Sequence, residues 1–364
     1  MLPPRRPARI FLRALAAAIA PLLLGTVTRA QEAIAAGSVD DAPAFGILVP
    51  KGPLPHRNSE PLNTPFLTPP AADARVLRKG LGRLDVRLDI VNNLLNLNEG
   101  PRRYLVDFEE QRLYLGYARG IGSGQEIGLS LVYVSRNGGW LDHFIDSWHK
   151  VFGFEGGGRG NIPRNRTLFR VTDAAGQVII DDSVSRSGFG DTLLEYRREL
   201  QRLPAAVERT RRIGLAARAL LKLPTGNRNH LLGSGKTDFG LGLTATARPL
   251  RNLAVHGNAS LVFTGGASNP ALRPERTLVH SLVAAEYLFD GRTSAVIQTD
   301  DNPAPFRSGF SYADRPRRAF TFGFWRDIGH GGQIFLLNSE NDFGALAKYA
   351  PDFVLSLGTR WLLK

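Results

Sequence analysis

The sequence predicts an all-β fold: a transmembrane antiparallel up-and-down β-barrel of about twelve strands, with short periplasmic turns and long extracellular loops. Three observations carry this prediction. Apolar and polar residues alternate with a period of two in many short segments, and short connections alternate with long ones along the chain. In addition, no run of about 20 apolar residues, which a membrane-spanning helix needs, occurs in the sequence.

The first thirty residues have the composition of an export signal. Four arginines (Arg5, Arg6, Arg9 and Arg13) precede the apolar run Ala14–Leu24, and small residues follow up to Ala30. A basic start, a short apolar stretch and a small-residue cleavage site are typical of a secretory signal peptide. We therefore expect residues 1–30 to be removed, with Ala33 or Ala36 as alternative cleavage sites. Cleavage after Ala30 would lower the formal charge from +13 to +8.

Residues 31–81 form a proline-rich stretch ahead of the first predicted strand. Proline lacks a backbone N–H, so this stretch does not read as a central strand. Two interpretations stay open: a periplasmic linker, or a plug that threads into the barrel lumen. Leu62, Phe66, Leu67 and Val76 would give such a plug apolar side chains to bury.

The barrel is predicted to occupy residues 82–364. In the segment Gly82–Leu95, four aliphatic residues from Leu84 to Ile90 alternate with Arg83, Asp85, Arg87 and Asp89. Because successive side chains of a strand point to opposite faces, one face is aliphatic and the other is charged. The same pattern recurs at 125–135, 191–199, 213–223, 238–247, 253–264, 279–289, 318–325 and 353–363.

The charged face is predicted to line the lumen, because lipid contacts the apolar face. The basic lumen residues are Arg83, Arg87, Arg112, Arg197, Arg218, Lys222 and Arg360. The acidic ones are Asp85, Asp89, Glu126, Asp191, Glu195, Glu199, Asp238, Glu286 and Glu340, and the polar residues His256, Asn258 and His280 share their face. Since the two signs nearly balance, we expect ion pairs between neighbouring strands and no strong ion selectivity.

Residues 136–188 are predicted to form the longest extracellular loop. Within it, Trp140, Phe144, Trp148 and Phe152 recur at helical spacing, which predicts an amphipathic helix over residues 140–152. This helix could lie on the membrane surface or gate the barrel mouth. Residues 166–181 read as a β-hairpin beyond the membrane. The histidines of this loop lack the spacing of a zinc motif, and no metal site is predicted.

Other function classes find little support. The chain has no cysteine, so disulfides, thiolate metal sites and a cysteine nucleophile are excluded. Nucleic-acid binding is not expected, because the aromatic residues fall on the apolar face and not within the basic clusters. A lipid-modifying enzyme could use His256, Asn258 and Ser260 as catalytic residues. These three residues, however, lie on the face predicted to line the lumen, whereas lipid contacts the opposite face. We therefore predict no catalytic residue and no cofactor.

Several motifs resemble a known family. They are the stretches Gly52–Asn58, Phe144–His149, Gly188–Asp191, Leu221–Asn227, Gly233–Asp238 and Ala350–Phe353. From about Gly52 to the C-terminus, the chain is similar to an uncharacterised family of proteobacterial outer-membrane proteins, catalogued as a domain of unknown function. Some pieces also resemble a wider group of outer-membrane channels linked to uptake of aromatic compounds. The resemblance implies a barrel in the outer membrane of a Gram-negative cell and supplies no catalytic or ligand residues.

Three hypotheses about function follow. The first is a monomeric barrel that acts as a narrow or gated channel for small solutes, including hydrophobic ones. The second is a non-transporting surface barrel that binds lipopolysaccharide or a partner, and the lipid-modifying enzyme is a distant third. The expected partners are membrane lipid, lipopolysaccharide and the outer-membrane assembly machinery, besides the solute itself.

Overall fold

The computed structural model describes residues 48–141, 147, 165–203, 213–267, 274–305, 307, 309, 314, 316–340 and 353–364. Apart from Ser147, which is helical, the chain is all-β in these residues, with fifteen strands and one short 3-10 turn at Arg228–His230. The described part contains no helix that is long and apolar enough to cross a membrane.

Twelve of the strands close into an antiparallel barrel. In chain order they are β1 (Gly82–Glu99), β2 (Arg102–Gly122), β3 (Gln125–Asn137), β7 (Thr192–Gln201), β8 (Ile213–Leu223), β9 (Asp238–Leu250), β10 (Leu253–Phe263), β11 (Thr277–Leu288), β12 (Thr293–Asn302), β13 (Arg317–Gly329), β14 (Gly332–Glu340) and β15 (Phe353–Leu363). Each strand pairs with the next, and β15 pairs with β1 from Leu363↔Gly82 to Phe353↔Asn92. Closure leaves no open sheet edge around the ring, as a spanning sheet requires.

Three additional strands extend the sheet beyond the ring. They are β4 (Leu168–Thr172), β5 (Val178–Asp181) and β6 (Arg186–Phe189). β4 and β5 form an antiparallel pair. β4 also pairs with the first residues of β2, where Tyr104 lies opposite Val171. β6 pairs with the last residues of β3. All three lie at the end of the barrel where the longer connections are, which we call the long-loop end.

The opposite end, the short-turn end, carries four tight connections: Gly122–Gln125, Leu250–Leu253, Leu288–Thr293 and Gly329–Gly332. Glycine geometry accounts for two of them. Gly124, Gly329 and Gly331 have positive φ angles of 64°, 85° and 73°, which glycine adopts without steric cost. The β1–β2 connection at Gly100 is equally short but lies at the long-loop end, so the separation of short turns from long loops is incomplete.

The two faces of the wall differ in chemistry. Large apolar side chains on the outer face are strongly exposed, for example Leu243 at 55%, Val279 at 63% and Leu357 at 58%. Charged side chains on the inner face are almost fully buried, among them Arg87, Glu126, Arg218 and Glu286. Apolar residues outside and charged residues inside are the reverse of the distribution in a water-soluble protein, and they are typical of a barrel that lipid surrounds.

The prediction of about twelve strands in an up-and-down barrel is confirmed. Three barrel strands, β2, β12 and β14, have no counterpart among the segments that alternation picked out. In β12 the inner face carries Ser294, Val296, Gln298 and Asp300, a mixture of apolar and polar residues that hides the period of two. Because the lumen contains protein and not only water, its wall need not be uniformly polar.

Candidate functional site

The lumen is filled by residues 48–81, which we call the lumen segment. Its course follows from its contacts with the wall. Lys51 lies near the short-turn end beside Glu286 and Arg360, Glu60 lies at the long-loop end beside Tyr104 and Arg317, and Leu77 returns to Glu126 at the short-turn end. The segment therefore ascends, turns and descends inside the barrel before it continues into β1.

The ascending limb is held by wall side chains that bind its backbone. Both carboxylate oxygens of Glu286 accept hydrogen bonds, from the amides of Lys51 (2.8 Å) and Gly52 (3.0 Å). The amide of Gln298 accepts from Leu54 N (2.9 Å) and donates back to Leu54 O (3.2 Å). Trp325 Nε1 donates to Gly52 O (3.1 Å). Leu54 itself is fully buried in an apolar cluster that includes Trp325.

The tip of the segment is anchored by one buried carboxylate. Glu60 binds Arg317 Nη1 at 2.7 Å, accepts a hydrogen bond from the Tyr104 hydroxyl and accepts another from Asn63 N within its own turn. Arg317 also donates to Asn63 Oδ1 (2.8 Å). All four side chains are less than 9% exposed. The charge of Glu60 is therefore matched and its hydrogen-bonding capacity largely used, as burial of an ion requires.

The descending limb repeats the arrangement on the opposite wall. Asp238 accepts from Leu67 N (2.9 Å), Asn258 binds both the N–H and the carbonyl of Ala72, and Glu126 accepts from Leu77 N (2.9 Å). Further cations and a hydroxyl complete the set: Lys222 donates to Pro65 O, Arg218 to Pro70 O and Arg197 to Asp73 O, while Thr246 accepts from Ala74 N. Backbone pairing with β2 is present where the segment leaves the lumen, at Gly80 and Leu81.

Most lumen residues that the sequence analysis named are brought together on this inner surface. Ion pairs within one strand join Arg83 to Asp85 and Arg87 to Asp89. Pairs between strands are Arg360–Asp85, Arg83–Glu126, Arg197–Glu126, Arg218–Glu195 and Lys222–Asp238; Lys222 also binds Asp191, which immediately precedes β7. His280 binds Asn302 at the long-loop end, and Arg112 binds Glu110. Glu340 ends β14, and its side chain lies outside the described residues.

A hydroxyl, an imidazole and a carboxylate do line up in the lumen. Thr246 Oγ1 lies 3.0 Å from His256 Nδ1, and His256 Nε2 lies 3.1 Å from Glu286 Oε2. All three side chains are fully buried beneath the lumen segment, whose amides bind Thr246 and Glu286. The arrangement therefore supports the segment, and Ser260, the residue considered as a nucleophile, is not a hydrogen-bond partner of His256 in it.

The predicted gating helix lies mostly outside the described residues. Phe144, Trp148 and Phe152 belong to the part that the structure does not describe. Trp140 is described and is 61% exposed, while the neighbouring Leu141 is buried against Phe353 on β15.

Sequence reasoning missed several residues that hold the lumen segment. Gln298, Trp325, Thr246 and Arg317 belong to this group. Two of them could have been found from alternation alone, since Thr246 alternates with Ala245 and Ala247, and Trp325 alternates with Phe324. Gln298 lies on β12, where the mixed inner face hides the period of two. Arg317 begins its strand beside Arg318 and carries no such signal.

Two of the hollow regions near the tip of the segment share the lining residue Leu231. The inner cavity, with a volume of about 60 Å³, lies between the segment and strands β2, β3, β7 and β8. The outer cleft, at the long-loop end, is lined by Ile179, Ile180, Asp181, Asp182, Arg228, Asn229 and Leu231. Leu231 lines both spaces and so separates them. In the outer cleft, the hydroxyl of Ser183 and the guanidinium of Arg170 hold the pKa of Asp181 below its usual value.

Comparison with protein families places the chain. A family model described as "Protein of unknown function (DUF3187)" matches residues 40–321. The chain belongs to the DUF3187 family. No curated protein matches the sequence.

Among solved structures, the chain is similar to an outer membrane channel from Pseudomonas putida F1. The two share 14% sequence identity with a TM-score of 0.52, over 82% of this chain and 100% of that channel. Weaker likenesses are to the KdgM porin (6% identity, TM-score 0.40, 77% and 98% coverage) and to the P. putida toluene transporter TodX (11%, 0.34, 78% and 89%). The first similarity supports the DUF3187 barrel fold, and the other two add nothing to it.

Proposed function

We propose that this DUF3187 protein is a gated channel of the outer membrane that passes small solutes, and that the lumen segment is its gate. Export by the N-terminal signal and insertion into the outer membrane are part of the proposal. The exposed apolar belt of the barrel and the outer-membrane channel with the similar fold support this location.

The observation that carries the proposal is how the lumen segment is held. Wall side chains such as Glu286, Gln298 and Asn258 bind its backbone individually, and each such bond is worth about 0.5–3 kcal/mol net, depending on charge. Contacts of this kind can be exchanged for water one after another. If the segment were a strand of the sheet, its withdrawal would instead have to break a continuous row of backbone hydrogen bonds.

The composition of the wall favours a gate over a purely architectural core. Buried ion pairs are weak contributors to stability, and apolar residues of equal volume often serve as well or better. A lumen lined by Arg83, Asp85, Arg87, Glu126 and Arg218 would nevertheless stay hydrated and stable once the segment withdrew, whereas an apolar core would collapse. The segment also enters and leaves the lumen at the short-turn end, so it can withdraw through one end without threading.

A cysteine pair tests the proposal, because the natural chain contains no cysteine. Ala72 and Asn258 contact each other through both backbone groups of Ala72, so A72C/N258C places two thiols on the gate and the wall. We expect the purified protein in planar bilayers to conduct when reduced and to lose its current when the disulfide forms. Single variants A72C and N258C serve as controls and should ignore the oxidant.

Currents that are equal in the oxidised and reduced double variant would contradict the gate. Absence of current in the reduced protein and in a variant lacking residues 48–79 would contradict the channel itself and favour the architectural barrel.

A further inference from the structure

The inner cavity combines cations with an apolar wall. Its charged lining consists of Arg57 from the lumen segment, Arg112 from β2, Lys222 from β8 and the single carboxylate of Asp191. Its apolar lining is formed by Phe66, Leu67, Val132, Val134, Leu193, Leu231 and Leu232. A charged side and an apolar side in one small space are features of a site for an amphipathic small molecule.

Two of the three cations are already neutralised by protein. Arg112 Nε lies 2.7 Å from Glu110 Oε2. Lys222 Nζ lies 2.7 Å from Asp191 and 3.2 Å from Asp238. Neither side chain therefore needs a further anion.

Arg57 differs from them. Among the residues that the structure describes, its guanidinium has neither a carboxylate partner nor a hydrogen-bond acceptor. Its contact is the ring of Tyr114, whose centroid lies 5.6 Å from Cζ, and Arg87 occupies the same ring at 3.9 Å while pairing with Asp89. Arg57 is only half-buried, so its N–H donors face open space in the cavity that a ligand can enter. An anion with two oxygens satisfies such a group best, because a carboxylate matches the fork geometry of arginine.

We propose that the inner cavity binds a short-chain carboxylate, with its head group on Arg57 and its alkyl chain on the apolar lining. Size limits the class. A volume of about 60 Å³ holds a few water molecules, since each needs about 10–15 Å³ of such space. A carboxylate of two to four carbons replaces that many waters, and larger acids do not fit without movement of the segment.

The proposal rests on the proposed function, for which it names the solute class. Arg57 belongs to the gate and not to the wall, so the anion binds the element that must move. The route from outside passes the outer cleft and Leu231, which borders both spaces. Because the charges of the wall are balanced in ion pairs, the wall itself does not favour anions over cations. The preference for anions comes from Arg57.

Direct binding tests the site without any transport. Sodium propionate is titrated into the full-length mature protein in detergent, and saturation transfer to the propionate methyl group is measured by NMR. We expect binding to wild type, retention of binding in R57K, and at least about tenfold weaker binding in R57Q, because a charge-assisted contact is lost. R292Q, at an exposed turn of the short-turn end, is the matched control and should bind as wild type.

A comparison of ligands on the unaltered protein keeps the test independent of how the variants fold. Propionamide has the shape of propionate without its charge, and we expect it to bind at least about tenfold more weakly. Propionamide binding as tightly as propionate, or R57Q binding propionate as wild type does, would overturn the site.

The two proposals fail separately. If propionate binding depends on Arg57 but the protein carries no current, the channel is refuted and the proposed binding site still stands. Current that responds to the A72C/N258C disulfide without propionate binding would refute the site and leave the gated channel.

Discussion

Single polar side chains in this barrel act as substitutes for a strand neighbour. Glu286 accepts two successive amides of the lumen segment, and Gln298 exchanges two hydrogen bonds with Leu54 in the manner of a paired strand. Without these side chains, the backbone of a proline-rich segment would be buried with unsatisfied groups, which is expensive. The polar side chains of the lumen face therefore supply hydrogen-bond partners for the backbone of the lumen segment.

Glu286 offers a test at the scale of one residue. In E286Q only one side-chain oxygen remains to accept from Lys51 and Gly52, so we expect the hydrogen exchange of these two amides to accelerate by at least about tenfold. D301N is the control, because Asp301 is exposed on the outer face and pairs with Arg318. Unchanged exchange at Lys51 and Gly52 in E286Q would show that Glu286 does not anchor the ascending limb.

The sequence predicted the lumen residues unevenly, and the reason is physical. Arg83 to Asp89 were evident because charge alternates strictly with aliphatic residues there. Gln298 was not, because its strand mixes apolar and polar residues on the inner face, where Leu54 packs. The role of Arg57 was out of reach, since only the three-dimensional arrangement shows which cations lack a partner.

At the scale of the strand, the outer face makes a depth-dependent prediction. Leu243 points outward near the middle of β9, and Leu250 ends the same strand at the short-turn end; both are more than half exposed. Lipid solvates charge poorly at the bilayer centre, so L243R should lower the free energy of unfolding by about 2–4 kcal/mol and L250R by about 0–1 kcal/mol. Urea unfolding of the two variants in lipid vesicles measures both values. Equal losses at the two positions would contradict the proposed depth of β9.

Strand pattern predicted the ring, and turn signals predicted a hairpin at residues 166–181, where the structure has β4 and β5; β6 was not predicted. The alternation in nine segments and the connection lengths were sufficient for a barrel of about twelve strands, because lipid and lumen impose opposite polarities on alternate residues. The alternating segment 191–199 covers β7 and leaves out β6, and the pairing of these two strands with β3 shifts register around Gly190. Added to glycine there, a Cβ would lie 2.6 Å from Val132 Cγ1, so this close approach depends on the absence of a side chain.

At the scale of the whole molecule, the barrel and the lumen segment form one structure with two interfaces. The outer interface is apolar and faces lipid, and the inner one is polar and faces a segment of the same chain. The sequence left open whether residues 31–81 form a linker or a plug, because proline-rich stretches suit both. Contacts between residues more than 150 positions apart, such as Leu67 with Asp238, place residues 48–81 in the lumen.

Cross-linking tests the central claim, that the lumen segment lies within the barrel, most directly. Cysteines at Ala72 and Asn258 should form a disulfide under mild oxidation in intact outer membranes, detected as one linked peptide by mass spectrometry. Ala259 is the next residue on the same strand and points to the outer face, so A72C/A259C should not cross-link. A linked peptide in A72C/N258C alone is the predicted result; no link there, or equal linking in both variants, would contradict a segment held inside the barrel.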